Sequence, residues 1–207
     1  MILSFLKHRP KAKKIKNEMK LPWLELDIDV PVQTIMEEFE NVKNQLVYHR
    51  ADDQLLTETH KGWRSLTIYG INPSVTEDNE GNHTWTSVAD QCPKTKQWIE
   101  NTFIINNNTG RIRFMVIDPG GWVLPHKDRD IHHLKEINVA ITNPKGSIFR
   151  MLERGNIPFE PGKAFILDIA NRHMLYNNSN ELRLHIILHT DIDDKVIERS
   201  YENCYYC

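Results

Sequence analysis

Hydrophobic positions in the first half of the chain recur with the period of an amphipathic helix. From Val30 onward the apolar residues stand three or four positions apart, with Pro31 near the start; they are Val32, Ile35, Met36, Phe39, Val42 and Leu46. This spacing predicts a helix with one buried face. A shorter helix is predicted over 93–103, with Pro93 at its start. Residues 62–70 are rich in β-formers and bounded by glycines, which predicts a strand.

The pattern changes at Arg111 to short apolar segments separated by turn-forming residues. Strands are predicted near 111–118, 122–128, 135–142, 147–153, 163–169, 172–177 and 182–190. Turn sequences such as Asp118-Pro119-Gly120-Gly121 separate them. Several short strands that follow helices are typical of a jelly-roll. The sequence therefore predicts a mainly β fold, a double-stranded β-helix or cupin-like barrel with its core at about 111–190, braced by N-terminal helices.

The composition indicates one globular domain. Of the 207 residues, 40% are hydrophobic and 26% charged, and the formal net charge of −2 gives no general attraction to nucleic acid or anionic membranes. No apolar run reaches the roughly 18 residues of a membrane span, and the N-terminus lacks the order of a secretory signal. We expect a cytoplasmic protein with one domain over 21–207, preceded by a basic, mobile leader over 1–20.

The cysteines are few and odd in number: Cys92, Cys204 and Cys207. Such sparse usage argues against a disulfide framework and fits a reducing compartment. Cys204 and Cys207 have the spacing of a redox pair or of half a metal site. Because the sequence has no second pair of this kind and no helix after it to lower a thiolate pKa, we interpret this end of the chain as a frayed tail.

Two histidines and one aspartate are candidate metal ligands. His126 and Asp128 are two residues apart in a predicted strand, so their side chains are expected on the same face. A third ligand must come from elsewhere in the fold, and His173, at the start of a late strand, is the best candidate. Two histidines and one carboxylate on one side of a metal leave positions open for a cosubstrate and O₂, as in non-haem Fe(II) oxygenases.

Arg183 gives a second indication of this chemistry. In the strand around it, Leu182, Leu184 and Ile186 share one face, while Arg183 and His185 share the other. An arginine that points into a barrel is costly unless it meets an anion, and its planar guanidinium pairs with a carboxylate through two hydrogen bonds. The distal carboxylate of 2-oxoglutarate is such an anion. A buried Asp or Glu of the protein itself is the alternative partner.

Three segments of the chain together resemble a known family. They run over 113–128, 171–178 and 183–185, and contain a Pro-Gly turn, Pro-His-x-Asp, a second His followed by Asn, and Arg-x-His ten residues beyond that His. This combination resembles the aspartyl/asparaginyl β-hydroxylase family of 2-oxoglutarate-dependent oxygenases, which also includes bacterial hydroxylases of free proline. The resemblance extends over roughly 62–191.

The resemblance implies a double-stranded β-helix that uses Fe(II), 2-oxoglutarate and O₂. Its iron ligands would be His126, Asp128 and His173, and Arg183 would hold 2-oxoglutarate. Some members of the family lack the carboxylate ligand. Asp128 groups this chain with the members that have all three ligands.

Other positions have less defined roles. Asn138 shares a strand face with Glu136, and either contacts 2-oxoglutarate near its iron-binding end or satisfies a neighbouring backbone group. Arg113 is expected to enter the barrel, where it binds a substrate carboxylate or forms a structural ion pair. His185 is interpreted as support for the site rather than as a ligand. His132 and the histidine after it are interpreted as part of a mobile lid.

Three functions are compatible with these residues. The first is a hydroxylase that uses Fe(II), 2-oxoglutarate and O₂ to hydroxylate an aliphatic C–H of an amino acid, free or within a peptide or protein, with release of succinate and CO₂. The second is a cupin-like isomerase or dioxygenase without 2-oxoglutarate, which would not require Arg183. The third is a non-enzymatic barrel that binds a small molecule. We predict the first, and no motif selects the substrate.

Overall fold

The computed structural model describes residues 10–50, 59–74 and 81–204. The helices are α1 (Ala12–Asn17), α2 (Val32–Val42), α3 (Ser87–Gln91), α4 (Pro93–Thr102) and α5 (Asp194–Glu202). The strands are β1 (Trp23–Leu26), β2 (Val47–Tyr48), β3 (His60–Gly70), β4 (Thr84–Trp85), β5 (Ile112–His126), β6 (Glu136–Ala140), β7 (Ser147–Met151), β8 (Gly155–Asn156), β9 (Ala164–Leu167), β10 (His173–Asn177) and β11 (Arg183–Leu188). The helices predicted from Val30 and from Pro93 are confirmed as α2 and α4, whereas α1, α3, α5 and β1 were not predicted.

The strands form one antiparallel sheet that curls into a half-barrel. Their hydrogen-bonded order is β1-β9-β6-β11-β5-β10-β7-β8, and β3 adds to β5. The predicted mainly β, cupin-like fold is thereby confirmed. Among the residues that the structure describes, no helix is long and apolar enough to cross a bilayer.

Strand β5 connects two parts of this sheet. On one side β5 pairs with β3 over 112–123; on the other its first residues pair with β11 and its last residues with β10. The sequence predicted two strands with a turn at 118–121, but the chain continues as one strand through that turn. Gly120 has a φ of +70°, and a Cβ on Gly121 would lie 2.8 Å from the backbone oxygens of Asp118 and Lys61. Only glycine fits this close approach, which lets β5 pass between the two parts.

Alternation along the strands separates the main core from the interior of the half-barrel. On β11, Leu184, Ile186 and Leu188 belong to the large core cluster beneath the helices. The ring of Phe39 in α2 meets Phe114 of β5 edge-on in that cluster, with their centroids 5.1 Å apart. The alternate positions of β11 face the other way, as predicted, so polar residues that follow the period of the strand are directed into the interior.

The segment before β1 is a packed element. Ala12 and Ile15 of α1 are buried, and the Ala12 N–H donates to Glu198 Oε1 of α5 at 3.1 Å. The Lys16 carbonyl accepts from the Leu134 N–H at 2.9 Å. For residues 10–20 the expectation of a mobile leader is therefore wrong. Although α1 is short and rich in lysine, its two apolar residues Ala12 and Ile15 are buried and anchor it to the rest of the protein. Residues 1–9 and the second cysteine of the terminal pair lie outside the described residues.

Candidate metal centre

His126, Asp128 and His173 come together at one end of the half-barrel. Their ligand atoms all lie within 4.8 Å of one another. His126 and His173 are direct partners in the pairing of β5 with β10, which sets their rings 4.4 Å apart. Asp128 lies beyond the end of β5 rather than within a strand as predicted. Its backbone N–H donates to the Ile169 carbonyl at 3.1 Å. This bond holds the chain after β5 in a position where the Asp128 side chain lies beside the two imidazoles.

The hydrogen bonds of the two imidazoles leave their outer nitrogens available. His126 Nδ1 lies 2.8 Å from the Leu124 carbonyl, and His173 Nδ1 lies 2.9 Å from the Asn171 carbonyl. A carbonyl only accepts, so each Nδ1 carries the proton and each neutral ring keeps a lone pair on Nε2. These Nε2 atoms lie 3.6 and 3.5 Å from the Asp128 carboxylate. Three electron-pair donors therefore converge on one point, which suits a divalent cation.

Electrostatics favour the ionisation states that metal ligands need. Burial, and then the nearby His173, lowers the pKa of His126, so its imidazole is neutral at neutral pH. Burial alone would raise the pKa of Asp128. A hydrogen bond from His173 and the positive charges near the carboxylate, Arg50 among them, outweigh that effect, and the pKa of Asp128 is lowered. A neutral imidazole and an ionised carboxylate are the forms that bind a metal.

A polar network holds the two ligand-bearing loops together. Asp168 is buried, and its carboxylate accepts from Ala170 N at 3.1 Å and from Asn171 Nδ2 at 3.0 Å. His132 Nδ1 lies 2.7 Å from Asp168 Oδ2, the oxygen that also accepts from Asn171. The two histidines expected in a lid are thus outside the metal cluster, and His132 instead joins the loop after Asp128 to the loop before His173.

Arg183 is one of the largest side chains in the interior and is only 2% exposed. Its Nη2 lies 3.1 Å from His185 Nδ1, and its guanidinium lies 5.9 Å from the centre of the Phe159 ring. Within the described part of the chain, no acidic side chain forms an ion pair with Arg183, and its buried Nε has no hydrogen-bond partner. Burial lowers the pKa of Arg183 to about 9. The alternative of a protein carboxylate as its partner is therefore not observed.

Asn138 and Arg113 both face the same interior. Asn138 Oδ1 lies 2.6 Å from His185 Nδ1, so its observed partner is a side chain rather than the backbone group considered from the sequence. Arg113 is buried on the face of β5 opposite Phe114, as expected. His185 is fully buried and is not part of the metal cluster. These side chains support or line one cavity of about 280 Å³ that also reaches His126, Asp128 and His173.

The cavity has further lining residues that sequence reasoning missed. His49, Arg50, Arg111 and Glu136 all border it. The strand period would have revealed two of them, because Arg111 is two residues from Arg113 and Glu136 is two residues from Asn138. No local signal identifies His49 and Arg50, which follow a two-residue strand and enter the site only through tertiary packing.

Positive charge concentrates around His49. Burial lowers the pKa of His49 to about 2, and Arg113, Arg50 and Arg111 add to this effect in that order. Its Nδ1 lies 3.0 Å from Ser65 Oγ, and its ring lies 4.1 Å from the Trp63 ring. His49 is therefore a neutral imidazole that lies close to three guanidinium groups at the border of the cavity.

A curled β half-barrel with two histidines and one carboxylate at one end defines a class of protein. Facial sets of this kind with open positions are typical of non-haem Fe(II) oxygenases. A family model for aspartyl/asparaginyl β-hydroxylases matches residues 31–193. The chain belongs to this family, and it is a hydroxylase that depends on Fe(II) and 2-oxoglutarate. This assignment favours the predicted oxygenase over the two alternatives, a cupin-like enzyme without 2-oxoglutarate and a non-enzymatic barrel.

Solved structures are similar to the chain at low sequence identity. A prolyl hydroxylase from Trichoplax adhaerens, in complex with a peptide fragment of the hypoxia inducible factor oxygen degradation domain, is 12% identical; the similarity covers 93% of this chain and 91% of that one, with a TM-score of 0.52. A Pseudomonas putida prolyl-4-hydroxylase is 14% identical over 83% of this chain and 93% of that one, with a TM-score of 0.49. A search of curated proteins found no match to the chain.

Proposed function

We propose that His126, Asp128 and His173 bind the Fe(II) of this hydroxylase. The donor set supports this assignment, because two imidazole nitrogens and a carboxylate suit Fe(II) better than the thiolates of zinc sites or the all-oxygen shells of Mg²⁺ and Ca²⁺. Each imidazole is fixed by a backbone carbonyl on its other nitrogen. Such bonds set the tautomer and the ring orientation that a metal requires.

Arg183 holds the distal carboxylate of 2-oxoglutarate in this proposal. The single observation that carries it is a fully buried guanidinium without an acidic partner in the described chain, in the cavity that also contains the three ligands. A buried cation is stable only with a compensating anion. A dicarboxylate that reaches from the metal end to Arg183 would supply that anion, and His185 and Asn138 hold the guanidinium side of the cavity in place.

Bound iron and 2-oxoglutarate would supply the oxidation, in which O₂ hydroxylates a C–H bond and 2-oxoglutarate is converted to succinate and CO₂. The chain binds and orients the reactants, and apolar walls exclude water from them. Phe149, Ile169 and Leu175 form part of those walls. The substrate is an amino acid, free or within a peptide or protein, whose aliphatic C–H is placed beside the metal. Arg113 binds a carboxylate of that substrate.

The test is a titration of the protein with Fe(II) and 2-oxoglutarate without oxygen, followed by succinate release in air. We expect one Fe(II) per chain and a weak visible absorption band when 2-oxoglutarate is added. Absence of the band and of 2-oxoglutarate consumption in an iron-loaded, folded protein would contradict the proposal.

A further inference from the structure

The buried carboxylate of Glu136 has one oxygen that the protein leaves unpaired. Glu136 is 4% exposed and lies at the start of β6. Its Oε1 forms an ion pair with Arg129. Its Oε2 is buried and has no hydrogen-bond partner among the described residues, yet Glu136 borders the same cavity as the three proposed iron ligands. Neither the metal site nor the 2-oxoglutarate site of the proposed function uses this oxygen.

An unpaired carboxylate oxygen inside a protein requires a hydrogen-bond donor. Leaving such an atom without a partner costs about 1–3 kcal/mol, and more for a charged group. A carboxylate oxygen only accepts, so the missing partner is an N–H or O–H group, and a cation is favoured over a neutral donor. Arg129 fixes the other oxygen, which leaves Oε2 in a defined position. The chemistry of this position suits an ammonium group.

The strand register places two arginines on the far side of β11 from Glu136. Ile187 of β11 is the direct partner of Arg113 on one side and of Asn138 on the other. Two residues further along, Glu136 begins β6 and Arg111 immediately precedes β5, so the two residues lie on either side of β11. Two strand spacings separate their backbones by roughly 10 Å. Arg111, Arg113 and Glu136 all border the cavity, so positive and negative groups line the same small space.

The size of the cavity limits what can occupy that space. Its volume of about 280 Å³ lies just below the ~300–1,000 Å³ typical of small-molecule sites. The substrate must also share this volume with 2-oxoglutarate. A free amino acid carries an ammonium and a carboxylate on one carbon. An internal residue of a peptide carries neither on its backbone. The combination of charges therefore separates the two substrate classes that the proposed function leaves open.

We propose that Glu136 is the ammonium-binding residue of a zwitterion site, and that the substrate is a free α-amino acid whose carboxylate lies on Arg111 and Arg113. This inference rests on the proposed function. Arg129 acts as a positioning residue that holds the Glu136 carboxylate. His49 and Trp63 border the arginine side of the site.

The experiment uses the iron-loaded protein with saturating 2-oxoglutarate in air. Succinate release is measured with an equimolar mixture of the twenty free L-amino acids, with the same mixture N-acetylated, with the mixture as C-terminal amides, and with Gly-X-Gly tripeptides. We expect stimulation by the free amino acids alone. Equal stimulation by the N-acetylated mixture or by the tripeptides overturns the inference, and so does the absence of stimulation by the free mixture.

Glu136→Gln tests the residue itself with whichever amino acid of the free mixture stimulates turnover. Loss of a charged hydrogen bond costs about 1.5–3 kcal/mol, so KM for that amino acid should rise about 10- to 150-fold. The Kd of 2-oxoglutarate in the oxygen-free protein should stay within about twofold. Glu153→Gln, in the exposed turn between β7 and β8, is the matched control and should change neither value. An unchanged KM in a folded Glu136→Gln protein overturns the role of Glu136.

The two levels of the proposal fail in different ways. If the iron-loaded protein consumes 2-oxoglutarate slowly without substrate but N-acetylated or peptide substrates stimulate it, the zwitterion site is wrong and the hydroxylase assignment stands. If neither iron nor 2-oxoglutarate binds, the proposed function itself fails and the inference fails with it. The comparison of free and N-acetylated amino acids needs no variant, so it remains decisive if Glu136→Gln does not fold.

Discussion

Glu38 and Arg183 are both buried charged side chains, but the protein surrounds them in different ways. Glu38 of α2 points at the start of α4, where its carboxylate accepts from Lys94 N at 2.9 Å, from Thr95 N at 2.8 Å and from Thr95 Oγ1 at 2.7 Å. Both oxygens therefore have partners, and the negative charge lies at the positive end of the helix. Within the described residues, Arg183 has a hydrogen-bond contact with His185 and lies near the Phe159 ring, but it has no acidic partner.

This difference indicates that the charge of Glu38 stabilises the fold, whereas the charge of Arg183 serves to bind a ligand. Three hydrogen-bond donors of the chain replace the water that the Glu38 carboxylate loses on burial. The packing of α2 against α4 therefore depends on this carboxylate. The guanidinium of Arg183 is desolvated without an acidic partner in the described chain, which costs stability until an anion binds. Substitutions should therefore separate the two residues, with Glu38 affecting stability and Arg183 affecting ligand affinity.

The largest expected effect comes from removing a metal ligand near the Arg183 site. His173→Ala should lose Fe(II) binding and all succinate release. The Kd of 2-oxoglutarate should also rise, because the keto acid loses the metal while Arg183 remains. Metal content and calorimetric titration measure both effects. His133→Ala, whose ring contacts Arg129 instead, is the control that should keep iron. A His173→Ala protein with full turnover would show that the ligand assignment is wrong.

Arg183→Met should weaken 2-oxoglutarate binding without removing iron. The distal carboxylate would be buried without its partner, and such truncation costs about 2–5 kcal/mol, or roughly 30-fold to several thousand-fold in Kd. Arg183→Lys should restore only part of the affinity, because an ammonium cannot form the paired bonds of a guanidinium. Affinity is measured in the iron-loaded protein without oxygen. Unchanged 2-oxoglutarate affinity in a folded Arg183→Met variant would show that Arg183 does not bind this ligand and does not differ from Glu38 in the way proposed.

Glu38→Ala should show the opposite behaviour. It leaves two helix N–H groups and a hydroxyl without an acceptor, so the free energy of unfolding should fall by about 1–3 kcal/mol. Urea denaturation of the metal-free protein measures this change. The Kd of 2-oxoglutarate for the folded fraction should equal that of the parent. If affinity fell together with stability, the helices and the cavity would be coupled more closely than their contacts indicate.

The smallest expected effect is a gain in stability from Arg183→Met in the absence of ligands. Replacing an uncompensated buried charge by an apolar side chain of similar length should raise the free energy of unfolding by about 0.5–2 kcal/mol. Denaturation with and without 2-oxoglutarate separates the two states of the parent protein. A fall in the stability of the ligand-free variant would indicate that His185 and Phe159 already satisfy the guanidinium.

Much of the proposed site follows from local periodicity. The alternation on β11 predicts that Arg183 faces the interior, and the two-residue spacing from Asn138 and Arg113 would have revealed Glu136 and Arg111 as well. By contrast, the packing of α1 was not predictable, because its two buried residues, Ala12 and Ile15, are scattered among lysines and join the core only in the folded protein. Short helices of this kind owe their stability to tertiary packing rather than to propensity.

The sequence by itself determined which chemical groups the protein has and which strand face each one occupies, because both depend on residue type and on a two-residue period. Only the tertiary structure decided how these groups meet. Strand register set His126 against His173, and the bond from Asp128 to Ile169 brought the carboxylate to them. The same packing brought His49 to the cavity and left Glu136 Oε2 unpaired. Such long-range contacts arise from the sum of many pairings along the sheet, and no local segment encodes them.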